Sequence, residues 1–291
     1  MTATGQVDQL EQPTLDALVQ QIEGVSTLPH VALQVIEVAN DPESGAADLK
    51  KIVETDAALT ARVLRCVNSS AYAMRREITS VQQAIAFLGL RQVRNLALTA
   101  TVSELFQQSD KVGPYSRAQL WQHLVSVGIC ARMIAMRRKM KNFEEAFLAG
   151  LLHDIGIVLE DQYAHGPFAT LLESLDESQT LAAAEKRHLG FDHTTLGARL
   201  ATSWRFPEAA QAAIRFHHTS ANYRGAQGDI VRCVEVANLI CTLKGIPSVG
   251  LKLVKISPST VRELALTRED IVVLASDLDQ ELAASASLFQ L

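Results

Sequence analysis

An all-α fold is what the sequence predicts, and three features carry that expectation. Apolar residues recur at helical spacing through most of the 291 residues; 48% of the chain is hydrophobic but only 5% aromatic; and just 8 prolines interrupt it. In the first 112 residues no polar–apolar alternation runs long enough to read as a strand. Thr14 is placed to cap a first helix with Leu15, Leu18, Val19 and Ile22 on one stripe and Gly24 at its end. A second helix starts at Pro29, whose fixed φ suits a first turn. It buries Ala32, Val35, Ile36 and Ala39 and stops at Asn40, Asp41 and Pro42. Asp48 is expected to cap a third helix through Leu49, Ile52 and Val53, and Asp56 a fourth with Leu59, Val63, Leu64 and Val67 inward. Thr79 and Ser80 open a fifth carrying Val81, Ala84, Ile85 and Leu88. Gly89 breaks it, and Arg91 to Phe106 repeats the pattern.

Gln107 to Pro114, with Ser109-Asp110 and Gly113-Pro114, is the best boundary, dividing the chain into lobes at 1–112 and 113–291. The second lobe opens with a helix from Arg117 to Met136, followed by the basic cluster Arg137, Arg138, Lys139 and Lys141, a solvated helix end favoured by the macrodipole. Further helices are expected at Phe168 to Leu175 and Leu181 to Leu189, and from His193, capped by Asp192, to Trp204. Others start at Pro207 and, capped by Asp229, run through Val236, Leu239 and Ile240; Thr267 to Ser287 forms the last.

Composition excludes several functions. The net charge of −5, with no dense basic helix or aromatic strip, argues against nucleic acid. No run approaches the roughly 18 to 20 apolar residues that span a bilayer, and Met1 to Gln12 has no signal-peptide core, so a cytoplasmic protein without membrane contact is expected. Cys66, Cys130, Cys233 and Cys241 are widely spaced and read as small apolar residues in a reducing compartment.

The chemistry concentrates in Phe147 to Leu159, a mostly apolar run with His153 and Asp154 at its middle. Burying an imidazole and a carboxylate costs several kcal/mol unless they are paired or metal-bound. His123, His193, His217 and His218 lie in the same half, each on a predicted helix. Five imidazoles and one carboxylate can supply a mono- or dinuclear site for Fe, Mn or Zn, with Asp154 able to bridge two cations. Such a site can activate water against a phosphate ester. Asn68, Ser69 and Tyr72 read first as structural, satisfying backbone groups at a helix end, and second as lining a lobe or partner interface.

The order His123, His153-Asp154, His193, His217-His218 resembles the HD superfamily of metal-dependent phosphohydrolases. From about residue 22 to 240 the chain resembles more closely the HDOD domain, the HD-related output domain of bacterial signalling proteins. Leu28-Pro29, Asp56 to Leu59, Leu64 to Tyr72, Ile78 to Val81 and Ala84 to Gly89 carry that resemblance, as do Trp121 to His123, Gly150 to Gly156 and His193 to Gly197. It implies a helical N-terminal lobe packed on an HD-like lobe and a non-catalytic regulatory module. Such a module acts through contacts with signalling proteins, for example receiver, diguanylate cyclase or phosphodiesterase domains. Three departures from the enzymes imply a degenerate metal site. Asn238 stands where a final Asp ligand is placed, Ile157 replaces the Lys of the cyclic-di-GMP phosphodiesterases, and His217 to Ser220 lacks the Glu and Gly-Tyr-Pro of that type. The alternative is a metal-dependent phosphohydrolase acting on a nucleotide or cyclic dinucleotide.

Overall fold

Side-chain caps start four helices where the sequence places them. Thr14 Oγ1 accepts from Ala17 N, Asp56 Oδ1 from Ala58 and Leu59 N, Ser80 Oγ from Gln83 N and Asp192 Oδ1 from Thr195 N. The computed structural model describes residues 14–290 except 26–27, 42, 73, 75, 108–110, 177 and 257 and the side chains of Ala39 and Ala71. The expectations for Met1 to Gln12, Ala39, Pro42 and Ser109-Asp110 lie outside the described residues.

The first lobe comprises α1 (Leu15–Gly24), α2 (His30–Asn40), α3 (Ala46–Glu54), α4 (Ala57–Val67), α5 (Val81–Leu88) and α6 (Leu90–Val102). A two-residue hairpin follows, β1 (Lys111–Val112) pairing antiparallel with β2 (Tyr115–Ser116). Then come α7 (Arg117–Arg137), α8 (Phe143–Leu152), α9 (Ile155–Tyr163), α10 (His165–Glu173), α11 (Leu181–His188), α12 (His193–Ser203), α13 (Glu208–Phe216) and α14 (Gly228–Leu243). The tail forms α15 (Pro258–Glu263), α16 (Arg268–Ala284) and α17 (Ala286–Phe289). The fold is all-α, a helical N-terminal lobe packed on an HD-like helical lobe.

Several expectations need correction. Asp48 does not cap α3; Gly45 does, and Asp48 sits in the first turn with Oδ2 accepting from Gly45 N at 2.9 Å. Asp229 likewise lies inside the first turn of α14, one residue beyond its start at Gly228. The helix expected over Arg91 to Phe106 ends at Val102 and tightens into a 3-10 turn at Ser103–Phe106. His153, His217 and His218 fall in turns rather than inside helices. Gly89 does end α5, at φ +89°, a conformation other residues avoid.

α6 packs against α2, α4 and α5 on one side and α8 on the other, so every side chain from Val93 to Val102 is buried. α7 is the spine of the second lobe, contacting α8 and α14. Its approach to α8 depends on paired glycines, because a Cβ on Gly150 would lie 2.8 Å from Gly128 Cα. One hydrophobic cluster runs from Leu18 to Leu288 through both lobes. The four cysteines are buried within the fold, and burial pushes the Cys66 thiol up to about 11. Among the described residues no helix is long and apolar enough to cross a membrane.

Candidate metal centre

Helix breaks bring the singled-out residues together. α8 ends at Leu152 and α9 restarts at Ile155, leaving His153 and Asp154 at the junction, both buried. His123 projects from the middle of α7, His193 is the first residue of α12, and His217 and His218 follow the end of α13. Gly156 sets one approach: a Cβ there would meet His193 O at 2.0 Å, so only glycine lets α9 lie this close to the start of α12.

Asp154 is the hub. Its Oδ1 lies 3.1 Å from His217 Nε2 and 3.3 Å from His193 Nε2; its Oδ2 lies 3.2 Å from His153 Nε2 and 3.7 Å from His123 Nε2. His218 Nε2 sits 3.1 Å from His193 Nε2 and 3.0 Å from His217 Nε2. The donors fall into two groups sharing the carboxylate: Asp154 with His193, His217 and His218, and Asp154 with His123 and His153. Within each, the ligand atoms lie within 4.8 Å of one another.

The outer nitrogens decide which way the lone pairs point. A carbonyl oxygen only accepts, so His123 Nδ1 donates to Ile246 O (2.6 Å), His153 Nδ1 to Gly150 O (2.7 Å) and His217 Nδ1 to Ala213 O (3.0 Å). His193 Nδ1 donates to Glu185 Oε2 at 2.6 Å, and the same oxygen accepts from His193 N at 2.9 Å. With Nδ1 as the donor, each of these rings leaves Nε2 facing Asp154, the nitrogen through which it would hold a metal. His123 Nε2, His153 Nε2 and Asp154 Oδ1 are buried without a hydrogen-bond partner. Unanswered buried polar atoms are costly, and here they converge on one point.

Electrostatics divide the rings. Burial and the neighbouring His153 hold His123 down at about 4, and burial keeps His217 and His218 below the usual imidazole range. Burial also opposes charge on His193 and Asp154, but partners overcome it: Glu185 raises His193, and His153 leads the rings that hold Asp154 well below the usual carboxylate range. Behind Glu185 lies Glu160, fully buried, pushed well above that range by burial and by Glu185.

The structure thus assembles His123, His153, Asp154, His193, His217 and His218 into one cluster. Asn238 is buried on α14, its Oδ1 accepting from Thr242 Oγ1 at 3.3 Å, and Ile157 is fully buried in the core. Asn68 takes the structural role: Nδ2 donates to Leu64 O and Ile78 O, and Oδ1 accepts from Ile78 N. Tyr72 borders a cavity shared with α7, α8 and α16, while Ser69 Oγ is buried without a hydrogen-bond partner. In the basic cluster Arg137 pairs with Asp270. Sequence reasoning missed Glu185. Its signal was an acid on the buried Leu181, Ala184, Glu185 stripe, where an apolar residue belongs.

The HDOD domain pattern matches residues 25–220. The chain belongs to the HDOD family. An HDOD domain protein of unknown function from Geobacter sulfurreducens shares the fold at a TM-score of 0.77 and 29% identity, covering 94% of this chain and 96% of that one. A Shewanella amazonensis protein called "Putative phosphohydrolase" shares it at 0.71 and 23% identity, over 94% and 97% of the two chains. An uncharacterised Treponema pallidum protein is 24% identical over 226 residues, 77% of this HDOD chain. The chain spans 43% of the length of that curated relative.

Proposed function

We propose that this HDOD chain is a bacterial cytoplasmic signalling regulator whose centre at Asp154 holds one or two transition-metal ions and whose surface contacts other signalling proteins. One observation carries the metal reading: the buried, unanswered Nε2 atoms of His123 and His153 and Oδ1 of Asp154 converge, each ring locked by its outer nitrogen. Imidazole with carboxylate suits Fe, Mn or Zn. His193, His217 and His218 would hold one ion with Asp154, and His123 and His153 the other. Bound there, an ion supplies Lewis acidity toward water or a phosphate oxygen. The regulatory reading is favoured because Ile157 offers no cation and Asn238 no charged ligand. Receiver, diguanylate cyclase and phosphodiesterase domains are the expected partners. A second reading, a phosphohydrolase of a nucleotide or cyclic dinucleotide, is favoured by the fact that all six donor side chains remain and converge.

Elemental analysis of protein purified without a metal-affinity tag or chelator tests the metal. The expectation is near-stoichiometric Fe, Mn or Zn in the wild type and loss of at least one ion in His153→Ala. Substoichiometric metal, with His153→Ala as stable as wild type, sinks it. Turnover of phosphoesters by the loaded protein, abolished in Asp154→Ala, favours the second reading over the first.

A further inference from the structure

One cavity touches the centre at a single candidate ligand, His218. It measures about 550 Å³; small-molecule sites run roughly 300–1,000 Å³. Its walls carry three cations, Lys186, Arg215 and Lys255, and one carboxylate, Asp192. Lys186 Nζ answers Asp192 Oδ2 at 2.8 Å, so that pair is neutral. Arg215 is held by hydroxyls instead, Nη1 donating to Thr194 Oγ1 at 2.9 Å and Thr195 Oγ1 at 3.2 Å. Among the described residues neither Arg215 nor Lys255 has a carboxylate partner.

Two positive charges therefore face the cavity uncompensated, and one is a guanidinium fixed in place. A fixed planar fork matches phosphate oxygens better than a free lysine does. The start of α11, with its N-cap Thr180 and with Ala182 and Ala183 of its first turn, borders the same space and adds the positive end of a helix dipole, whereas that of α12 is already answered by Asp192. Phe216 and Leu253 supply an apolar wall opposite in character. A ligand matching all of this is anionic at one end and flat or apolar at the other.

We infer that the cavity beside His218 binds a small phosphorylated molecule of nucleoside-monophosphate size, its phosphate held by Arg215 and Lys255 and its body against Phe216 and Leu253. The site lacks the lysine that Ile157 replaces, and these cations come from other elements. The inference rests on the metal reading only in treating the cavity as adjoining that centre at His218, and supplies the signalling module with an input.

Calorimetric titration of the full chain, metal-loaded and chelator-stripped, with AMP, GMP and ribose 5-phosphate tests it, with adenosine as the phosphate-free control. At least one phosphorylated probe is expected to bind saturably at one site per chain, and adenosine far more weakly. Arg215→Gln and Lys255→Ala should each weaken that binding roughly tenfold, the scale of one hydrogen bond to a charged group. Lys252→Ala, exposed and outside the cavity lining, should leave it unchanged, with circular dichroism confirming that all three variants fold. Absence of saturable binding by every probe overturns the inference, as does binding indifferent to Arg215→Gln and Lys255→Ala. Metal content, measured on the same samples, separates the two readings. A loaded protein that binds no probe removes the cavity proposal and leaves the metal, whereas metal-free protein binding through Arg215 does the reverse.

Discussion

At the scale of single residues, the centre is an exercise in fixing tautomers. His193 illustrates it best: Glu185 Oε2 takes both its ring and backbone protons, so the ring cannot rotate without breaking two contacts made by one carboxylate. Glu185→Ala is expected to weaken metal binding about 10- to 100-fold, the usual cost of losing an outer-shell partner. Glu185→Gln, whose amide oxygen still accepts, should cost less. Competition against a chelator of known affinity measures both, and an Ala variant that binds as tightly as wild type removes the orienting role. The ligand candidates themselves were legible, because His and Asp inside an apolar run advertise their burial. Three of the orienting acceptors, Ile246 O, Gly150 O and Ala213 O, were not. A backbone carbonyl carries no side-chain identity, so only the fold reveals which one meets a ring.

Elements are placed by their ends, and an acid near a helix start has two ways to help. At Ncap it accepts from the exposed N–H groups; in the first turn it favours the positive end of the dipole or reaches back to the cap. Asp56 and Asp192 do the first, Asp48 the second, and spacing alone does not separate them. The hairpin was similarly invisible because its strands are two residues each, too short for a period to register. What it leads into is a buried ion pair. Arg117 Nε donates to Asp161 Oδ2 at 2.5 Å, with Tyr115 Oη donating to the same oxygen and His165 Nδ1 beside Oδ1. This links β2 and the start of α7 to α9, the helix that begins beside Asp154. Asp161→Ala removes the buried carboxylate that pairs with Arg117 Nε, and breaking that pair is expected to cost about 3–5 kcal/mol in urea unfolding. Replacing both partners, Arg117→Met with Asp161→Leu, should recover most of that loss. If the double variant is as unstable as the single, packing rather than charge explains the effect.

At the scale of the whole molecule, the tail adds to the direct α6–α8 contact between the two helical lobes. The amphipathic helix expected over Thr267 to Ser287 is present as α16, with Leu274 and Leu278 buried and Thr267 and Asp270 forming a capping box, but it ends at Ala284 and α17 follows as a separate turn. Its partner was not legible in the sequence, because an apolar stripe specifies burial without saying against what. In the structure α16 and α17 lie on α7, and α17 also reaches α4 in the first lobe. Ser70 Oγ donates to Ala284 O at 3.1 Å from the first lobe, and Trp121 Nε1 donates to Leu288 O at 3.2 Å from the second. Trp121 is 6% exposed, two residues before His123 on the same helix, so its emission reports on the strap without touching the centre. In a Trp204→Phe background it becomes the only indole, since the chain has 2 tryptophans. Deleting residues 286–291 removes the carbonyl that answers it and the covering Leu288 side chain, which is 5% exposed. A red shift of Trp121 emission is expected, with far-ultraviolet circular dichroism and metal content unchanged. The loss in stability should be about 2–5 kcal/mol, as for truncating a buried leucine. An unshifted spectrum would mean that α17 does not cover Trp121 in solution. A shift accompanied by loss of metal would instead tie the strap to the centre through α7, whose His123 lies within a turn of the indole.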